Sequence, residues 1–170
     1  MNNIDLILQP EYLVLSAKNK IIHHHYGVAI HDGKIIDVLA HDQLDQKYTA
    51  NKTIMLKHKV LLSGLINAHT HAAMNLFRGL ADDLPLMDWL QNHIWPAEGQ
   101  FVAPDFVEDG VALAALEMIK SGTTCFADMY FFPESAAKIV EQSGLRAMLG
   151  GPIIDFPSAW AADSEEYLRK

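Results

Sequence analysis

The first third of the chain alternates short apolar runs with turn residues, a pattern typical of β-structure. Asp32-Gly33 separates two alternating runs, and Asp-Gly in that position is a strong signal for a β-hairpin. The pattern predicts a small antiparallel sheet or sandwich. Its strands are predicted at Ile4–Leu8, Tyr12–Leu15, Gly27–His31, Lys34–Leu39, Thr53–Leu56 and Val60–Leu62.

After Ser63-Gly64 the pattern changes to apolar runs that alternate with helical segments. Pro104 is suited to open a helix that runs to about Lys120, because Gly122 stands just past that end. This helix is apolar on most sides, so we expect it to pack between layers. The order strand–helix–strand–helix–strand is typical of parallel strands joined by crossover helices. The predicted strands are Leu65–Ala68, Thr123–Met129 and Leu145–Leu149, and the other predicted helices are Pro85–His93 and Glu134–Gln142.

These patterns predict an α/β protein in two parts, a small β-sandwich portion over residues 1–60 and the first βα units of a barrel over residues 61–170. Three parallel strands do not close a barrel, and an eight-stranded barrel normally takes about 250 residues. We therefore expect the chain to be the N-terminal part of a larger protein.

Composition limits the classes of partner. The net charge of −8 argues against nucleic acid and anionic membrane surfaces, which both require a basic face. No apolar stretch approaches the roughly 20 residues that span a bilayer, and a single cysteine, Cys125, excludes an internal disulfide. We expect a cytoplasmic protein.

Two His-x-His pairs are candidates for metal binding, since residues i and i+2 of a strand share one face. His23 and His25 lie in a polar segment, which favours a solvated strand or loop. His69 and His71 follow an apolar strand at its C-terminal end, where barrel enzymes keep their chemistry. A zinc ion with two imidazole ligands is one interpretation of this pair, and two buried histidines hydrogen-bonded in a core are the other.

Two ligands do not complete a catalytic zinc site, which needs at least three from the protein and one open position. His58, His93 and several aspartates are candidates within the chain, but none has a convincing placement. We expect the remaining ligands to lie beyond Lys170.

Two segments carry a resemblance to a known family: SGLINAHTHAAMNLFRGLADDLPLMDWLQNHIWPAE over residues 63–98, and SGTTCFADMY after it. They strongly resemble the amidohydrolase superfamily, in particular its branch of 5-methylthioadenosine/S-adenosylhomocysteine deaminases, s-triazine chlorohydrolases and guanine deaminases. The resemblance covers essentially the whole chain. It implies a distorted (β/α)₈ barrel plus a small β-sandwich.

The resemblance also implies roles for individual residues. His69 and His71 match the first two metal ligands of the family, with one divalent metal ion expected, Zn²⁺ ahead of Fe²⁺. Glu98 matches the carboxylate that accepts hydrogen bonds from the ribose 2′- and 3′-hydroxyls, although without the family a solvent-facing glutamate is the commoner interpretation. Trp89 would form an apolar wall of the nucleoside pocket, or else simply pack in the core. The catalytic general base is expected beyond Lys170.

The implied reaction is hydrolytic deamination of an adenine nucleoside (5-methylthioadenosine, S-adenosylhomocysteine or adenosine) to the inosine analogue and ammonia, with water activated by the metal. The substituent on the nucleoside stays open, because Met148-Leu149-Gly150-Gly151 stands where some members carry an arginine. A hydrolase of s-triazines, a deaminase of guanine or cytosine-type bases, and an inactive fragment are the alternatives. The expected partner is a small-molecule substrate, and we expect a homo-oligomer.

Three further residues have less specific patterns. Asp128, near the end of a strand, could face the site or bond to a neighbouring loop. Arg78 is expected to pair with Asp82 or Asp83, and Cys125 is expected to be a small buried residue without a nucleophilic role.

Overall fold

A computed structural model describes residues 1–16 and 21–170 of the chain. These residues form two compact units, Met1–Ser63 and Gly64–Lys170. The sequence-based assignment of residues 1–60 and 61–170 to two domains stays a prediction. Within the described residues, no helix is long and apolar enough to cross a membrane.

The first unit is a five-stranded sheet with one short helix. Its long first strand, β1, pairs antiparallel with β2 and β3 and parallel with β5, and β3 pairs antiparallel with β4. The antiparallel expectation is therefore wrong for the pair β1 and β5, because an unpredicted helix, α1, joins β4 to β5. The elements are β1 (Asn2–Ser16), β2 (Ile21–His24), β3 (Tyr26–His31), β4 (Lys34–Ala40), α1 (His41–Lys47) and β5 (Tyr48–Leu61).

Local sequence signals predicted the turn in this sheet more accurately than they predicted the lengths of its strands. Asp32 and Gly33 both have positive φ (50° and 69°), as a two-residue hairpin turn requires, so the hairpin between β3 and β4 is confirmed. The two runs predicted on either side of Pro10 form one continuous strand, β1. Its register against β5 shifts between Pro10 and Tyr12, and such an irregularity lets a strand tolerate a proline that cannot donate a hydrogen bond.

The second unit contains three parallel strands in the order β6-β7-β8, with helices between them. The predicted β-α-β-α-β order is therefore confirmed. The strands are β6 (Leu65–Thr70), β7 (Thr123–Met129) and β8 (Arg146–Gly150), and the helices are a 3₁₀ helix (Ala72–Phe77), α2 (Leu86–Trp89), a π-helical turn (Leu90–Ile94), α3 (Trp95–Phe101), α4 (Pro104–Ser121), α5 (Pro133–Ser143) and α6 (Ser164–Arg169).

Helix α4 begins at Pro104 as predicted and ends at Ser121, just before Gly122, whose φ of 86° is the left-handed conformation that suits glycine. Val107 and Val111 on α4 are fully buried and pack in one cluster with Phe126 of β7. The prediction that α4 packs between layers is wrong for the described residues, because Leu116 and Ile119 on its apolar surface remain half exposed.

The helix predicted over Pro85–His93 extends much further. Helical turns run from Leu86 to Phe101, and a π-helical turn precedes Pro96. The prediction was wrong about the end, because Pro96 lies in the first turn of α3. In the first turn of a helix a proline is tolerated, because the N–H that it lacks would have no hydrogen-bond partner within the helix. This extension brings Glu98 onto a helix.

Candidate functional site

His69 and His71 lie where β6 ends. His69 is on the strand and exposed, and His71 is the residue directly after it and half-buried. Their ring centroids are 5.0 Å apart and the ring planes are nearly perpendicular, at 83°. The pairing of β6 with β7 is irregular between Asn67 and Thr70, close to the two histidines. The two imidazoles are therefore neighbours, as the spacing in the sequence predicts.

A backbone carbonyl orients the ring of His71. Its Nδ1 lies 2.6 Å from the carbonyl oxygen of Met129, at the end of β7. A carbonyl can only accept a hydrogen bond, so Nδ1 carries the proton and Nε2 keeps its lone pair. Fixing one ring nitrogen in this way is how proteins aim the other at a metal.

Asp128 holds the backbone that follows His71. Its Oδ1 accepts a hydrogen bond of 2.7 Å from the N–H of Ala72, and Asp128 is buried. Burial raises the pKa of Asp128, and the hydrogen bond from the Ala72 N–H acts in the opposite direction. Of the two possibilities open for this residue, the structure shows the bond to a neighbouring loop.

A cavity of about 630 Å³ opens beside His71. Glu98 and Trp89 line it together with His71, whereas His69 stands next to His71 without lining the cavity. The wall is largely apolar and includes Leu86, Leu90, Ile94, Trp95, Ile154 and Phe156. A cavity with an apolar wall and few polar groups is the usual form of a small-molecule site.

Glu98 is half-buried on α3 and lines the cavity. Its Oε1 accepts a hydrogen bond of 2.7 Å from the hydroxyl of Tyr130, a second cavity-lining residue. Burial raises the pKa of Glu98, while the hydrogen bond from Tyr130 acts to lower it. The carboxylate is therefore available to a ligand in the cavity with only part of its accepting capacity used.

Sequence reasoning missed Tyr130. It directly follows β7, so it occupies the same position relative to its strand as His71 does to β6. Its N–H donates to Gly150 of β8 at 3.1 Å, which continues the strand pairing by one residue. The signal that could have identified it is its place at the C-terminal end of a parallel strand, where barrel sites are built.

Trp89 is half-buried at the end of α2 and belongs to the cavity wall. This placement agrees with the predicted pocket wall, and its contact with a substrate stays a prediction. The prediction for Arg78 was right about a structural role but wrong about the partner. Arg78 donates to both carboxylate oxygens of Glu117 on α4, at 2.9 and 2.6 Å, because Arg78 directly follows the 3₁₀ helix that packs against α4.

The pair His23 and His25 does not have the geometry of two ligands on one strand face. His25 has a positive φ of 54° and lies outside β2, and the ring of His23 stacks on Tyr26 with centroids 4.4 Å apart. Cys125 is partly buried in β7.

Among the described residues, no third ligand joins His69 and His71. One set of three potential ligand side chains lies close together there, Asp5, His31 and Asp32 in the first unit, and its hydrogen bonds are internal.

Comparison with known proteins adds a family to this geometry. The model of the family described as "Amidohydrolase family" matches residues 60–170. A protein of Saccharophagus degradans named 5-methylthioadenosine/S-adenosylhomocysteine deaminase is 48% identical over 166 residues, which are 98% of this chain and 37% of that protein. A 5′-deoxyadenosine deaminase of Methanosarcina mazei is 55% identical over 128 residues, which are 75% of this chain and 28% of that protein.

Among solved structures, an adenosine deaminase of Xanthomonas campestris with bound zinc superposes with a TM-score of 0.95 at 42% identity. The match covers 99% of this chain and 38% of that one. The chain thus spans less than two fifths of the length of these relatives.

Proposed function

Because the chain belongs to the amidohydrolase family, we propose that the protein catalyses metal-dependent hydrolytic deamination of an adenine nucleoside to the inosine analogue and ammonia. The substrate class is 5-methylthioadenosine, S-adenosylhomocysteine or adenosine. One observation carries the proposal: an oriented histidine and a half-buried carboxylate open onto the same apolar cavity. The names of the relatives from Saccharophagus degradans and Methanosarcina mazei support the same class of substrate.

The donor set fits a divalent metal. His71 presents Nε2 because its Nδ1 is bound to the Met129 carbonyl, and the imidazole of His69 is adjacent. Zn²⁺ accepts such nitrogen ligands, Fe²⁺ is the second possibility, and the zinc in the Xanthomonas campestris relative favours the first. When bound, the metal supplies an acidified water for attack at C6 of the purine. The relatives extend beyond the region that this chain matches. We propose that the remaining ligands and the glutamate that transfers protons lie in sequence corresponding to that unmatched region.

The residues of this chain bind and orient the nucleoside. Glu98 accepts hydrogen bonds from the 2′- and 3′-hydroxyls of the ribose, since an ionised carboxylate offers two oxygens to a vicinal diol. Trp89 and its apolar neighbours on the wall hold the purine by contact and exclude water. With the ribose fixed by Glu98, the purine is directed towards the His71 end of the cavity.

Ammonia release by the full-length protein with Zn²⁺ is the direct test, with 5-methylthioadenosine, S-adenosylhomocysteine and adenosine as substrates. Glu98→Gln removes the charge but keeps the size of the side chain. We expect it to raise KM for the nucleosides by about tenfold or more, since hydrogen bonds to a charged group are among the strong ones. The inhibition constant of free adenine, which has no ribose, should stay within about twofold. Equal effects on nucleoside and free base would remove Glu98 from the ribose.

Metal analysis tests the histidines separately. His71→Ala and His69→Ala should each lower the zinc content of the purified full-length protein, and His58→Ala, an exposed histidine of the first unit, serves as the matched control. Zinc content that is unaffected by the first two variants would contradict the assignment of the ligands. The cytoplasmic location and the homo-oligomeric state stay predictions.

A further inference from the structure

Tyr130 is a buried cavity residue to which the proposed function gives no role of its own. It is 6% exposed, and its hydroxyl lies 2.7 Å from Oε1 of Glu98. Its ring centroid is 6.4 Å from that of His71. Tyr130 therefore lies between the residue proposed for the ribose and the residue proposed for the metal.

The two partners differ in rigidity. Tyr130 is anchored by its own N–H to Gly150 and by ring contact with Phe131, whose centroid is 5.2 Å away. Glu98 has three side-chain torsions and lies on a helix of only seven residues that follows the π-helical turn. A hydrogen bond from the rigid partner to the flexible one removes rotational freedom before a ligand arrives, which reduces the entropy cost of binding.

The chemistry of the pair leaves the carboxylate able to bind a diol. Tyr130 donates one hydrogen bond to Oε1, so Oε1 keeps one acceptor site and Oε2 keeps both. Burial and the adjacent carboxylate raise the pKa of Tyr130 above its usual value. The phenol thus remains a neutral donor across the working pH range and does not repel Glu98.

We propose that Tyr130 is a positioning residue that holds Glu98 in the orientation needed to bind the vicinal diol of the substrate, without itself contacting the reacting purine. This inference rests on the proposed function, since it gives Glu98 its ribose role. Tyr130 acts on substrate affinity and on the discrimination between nucleosides with and without the diol. It does not act on the chemical step.

The test compares Tyr130→Phe with Tyr48→Phe in the zinc-loaded full-length protein. Tyr48 is a matched control, because it is also a buried tyrosine that donates to a carboxylate, Asp37, at 2.8 Å, but in the first unit. We expect Tyr130→Phe to raise KM for adenosine about tenfold with kcat within about twofold, and to leave KM for 2′,3′-dideoxyadenosine nearly unchanged. Tyr48→Phe should change neither constant.

A second pair of variants separates this inference from the proposed function. If Tyr130 works through Glu98, adding Tyr130→Phe to Glu98→Gln should not raise KM for adenosine further. Additive effects, a loss of kcat, or equal effects on the two nucleosides would overturn the inference while Glu98 keeps its role. If Glu98→Gln itself affects both nucleosides equally, the proposed ribose contact is wrong and the role of Tyr130 falls with it.

Discussion

Replacing Gly110 with alanine tests how closely α4 packs against the 3₁₀ helix that follows His71. A Cβ built on Gly110 would stand 2.8 Å from Cα of Ala73 and 3.0 Å from its carbonyl carbon. Both distances are well inside van der Waals contact. The obstacle is backbone of a fully buried residue, so it cannot move aside by a change of rotamer.

Two opposing effects set the magnitude. Helix propensity favours alanine over glycine in a helix interior by about 1 kcal/mol. Overpacking of a tight contact costs about 1–3 kcal/mol, and a clash with backbone belongs at the upper end. We therefore expect Gly110→Ala to lower the free energy of unfolding by about 2 kcal/mol, because the clash outweighs the gain in propensity.

Gly99 provides the control for this substitution. It is also helical, but a Cβ there would meet no atom within 4 Å, so Gly99→Ala should raise the free energy of unfolding by about 0.5–1 kcal/mol. Urea denaturation followed by circular dichroism measures both changes as shifts of the midpoint at unchanged slope. The packing argument would be refuted if the Gly110→Ala protein were as stable as the wild type, or if its free energy of unfolding rose as that of Gly99→Ala is expected to.

Three further predictions concern the core, the cavity and the surface. Phe126→Ala should lower the free energy of unfolding by about 3–5 kcal/mol in the same urea assay, since Phe126 is 1% exposed in the main cluster of the second unit. Burial raises the pKa of Glu98, and only its ionised carboxylate accepts hydrogen bonds from the diol. As the pH is lowered, KM for adenosine should therefore begin to rise at a higher pH than it would if Glu98 had the pKa of an ordinary glutamate. A pH profile of Tyr130→Phe should show that rise at still higher pH, since the lost hydrogen bond had lowered this pKa. Arg78 lowers the pKa of Glu117 to about 2, below its unfolded value. The pair therefore stabilises the fold above the unfolded pKa, and the difference in Tm between wild type and Arg78→Leu should shrink as the pH falls from about 6 to about 3.

Predictions from local signals agree best with the structure. The hairpin follows from Asp32-Gly33 alone, because both residues tolerate the positive φ that the turn needs. The bounds of α4 follow from Pro104 at one end and Gly122 at the other. In each case the sequence signal and the structural feature lie within the same few residues.

Features set by distant contacts were not predictable in this way. The run on either side of Pro10 reads as two strands, yet pairing with β3, β2 and β5 along its length makes it one. The shared cavity of His71, Glu98 and Trp89 was expected only from the resemblance to a family, since no periodicity relates a residue after β6 to residues on α2 and α3. Tyr130 was missed because its hydrogen-bond partner, Glu98, lies 32 residues earlier in the chain.

Three consecutive residues at the end of β7 organise the site, each through a different group. Asp128 binds the Ala72 N–H with its side chain, Met129 accepts from His71 with its carbonyl, and Tyr130 donates to Glu98 with its hydroxyl. Two of these bonds support the proposed metal ligand and the third supports the proposed ribose ligand. We therefore expect the same strand end to control two separable quantities, metal affinity and affinity for the diol.

This separation is testable with Asp128→Ala, which leaves the buried N–H of Ala72 without its acceptor. We expect zinc affinity of the full-length protein to fall about tenfold or more, as when other supporting partners of metal ligands are removed. The ratio of KM values for adenosine and 2′,3′-dideoxyadenosine, measured at saturating zinc, should stay within about twofold of the wild type, because Glu98 and Tyr130 are intact. Tyr130→Phe should show the opposite pattern, with the ratio changed and zinc affinity retained. If either variant changes both quantities, the end of β7 acts as one unit, and separate roles for Asp128 and Tyr130 are excluded.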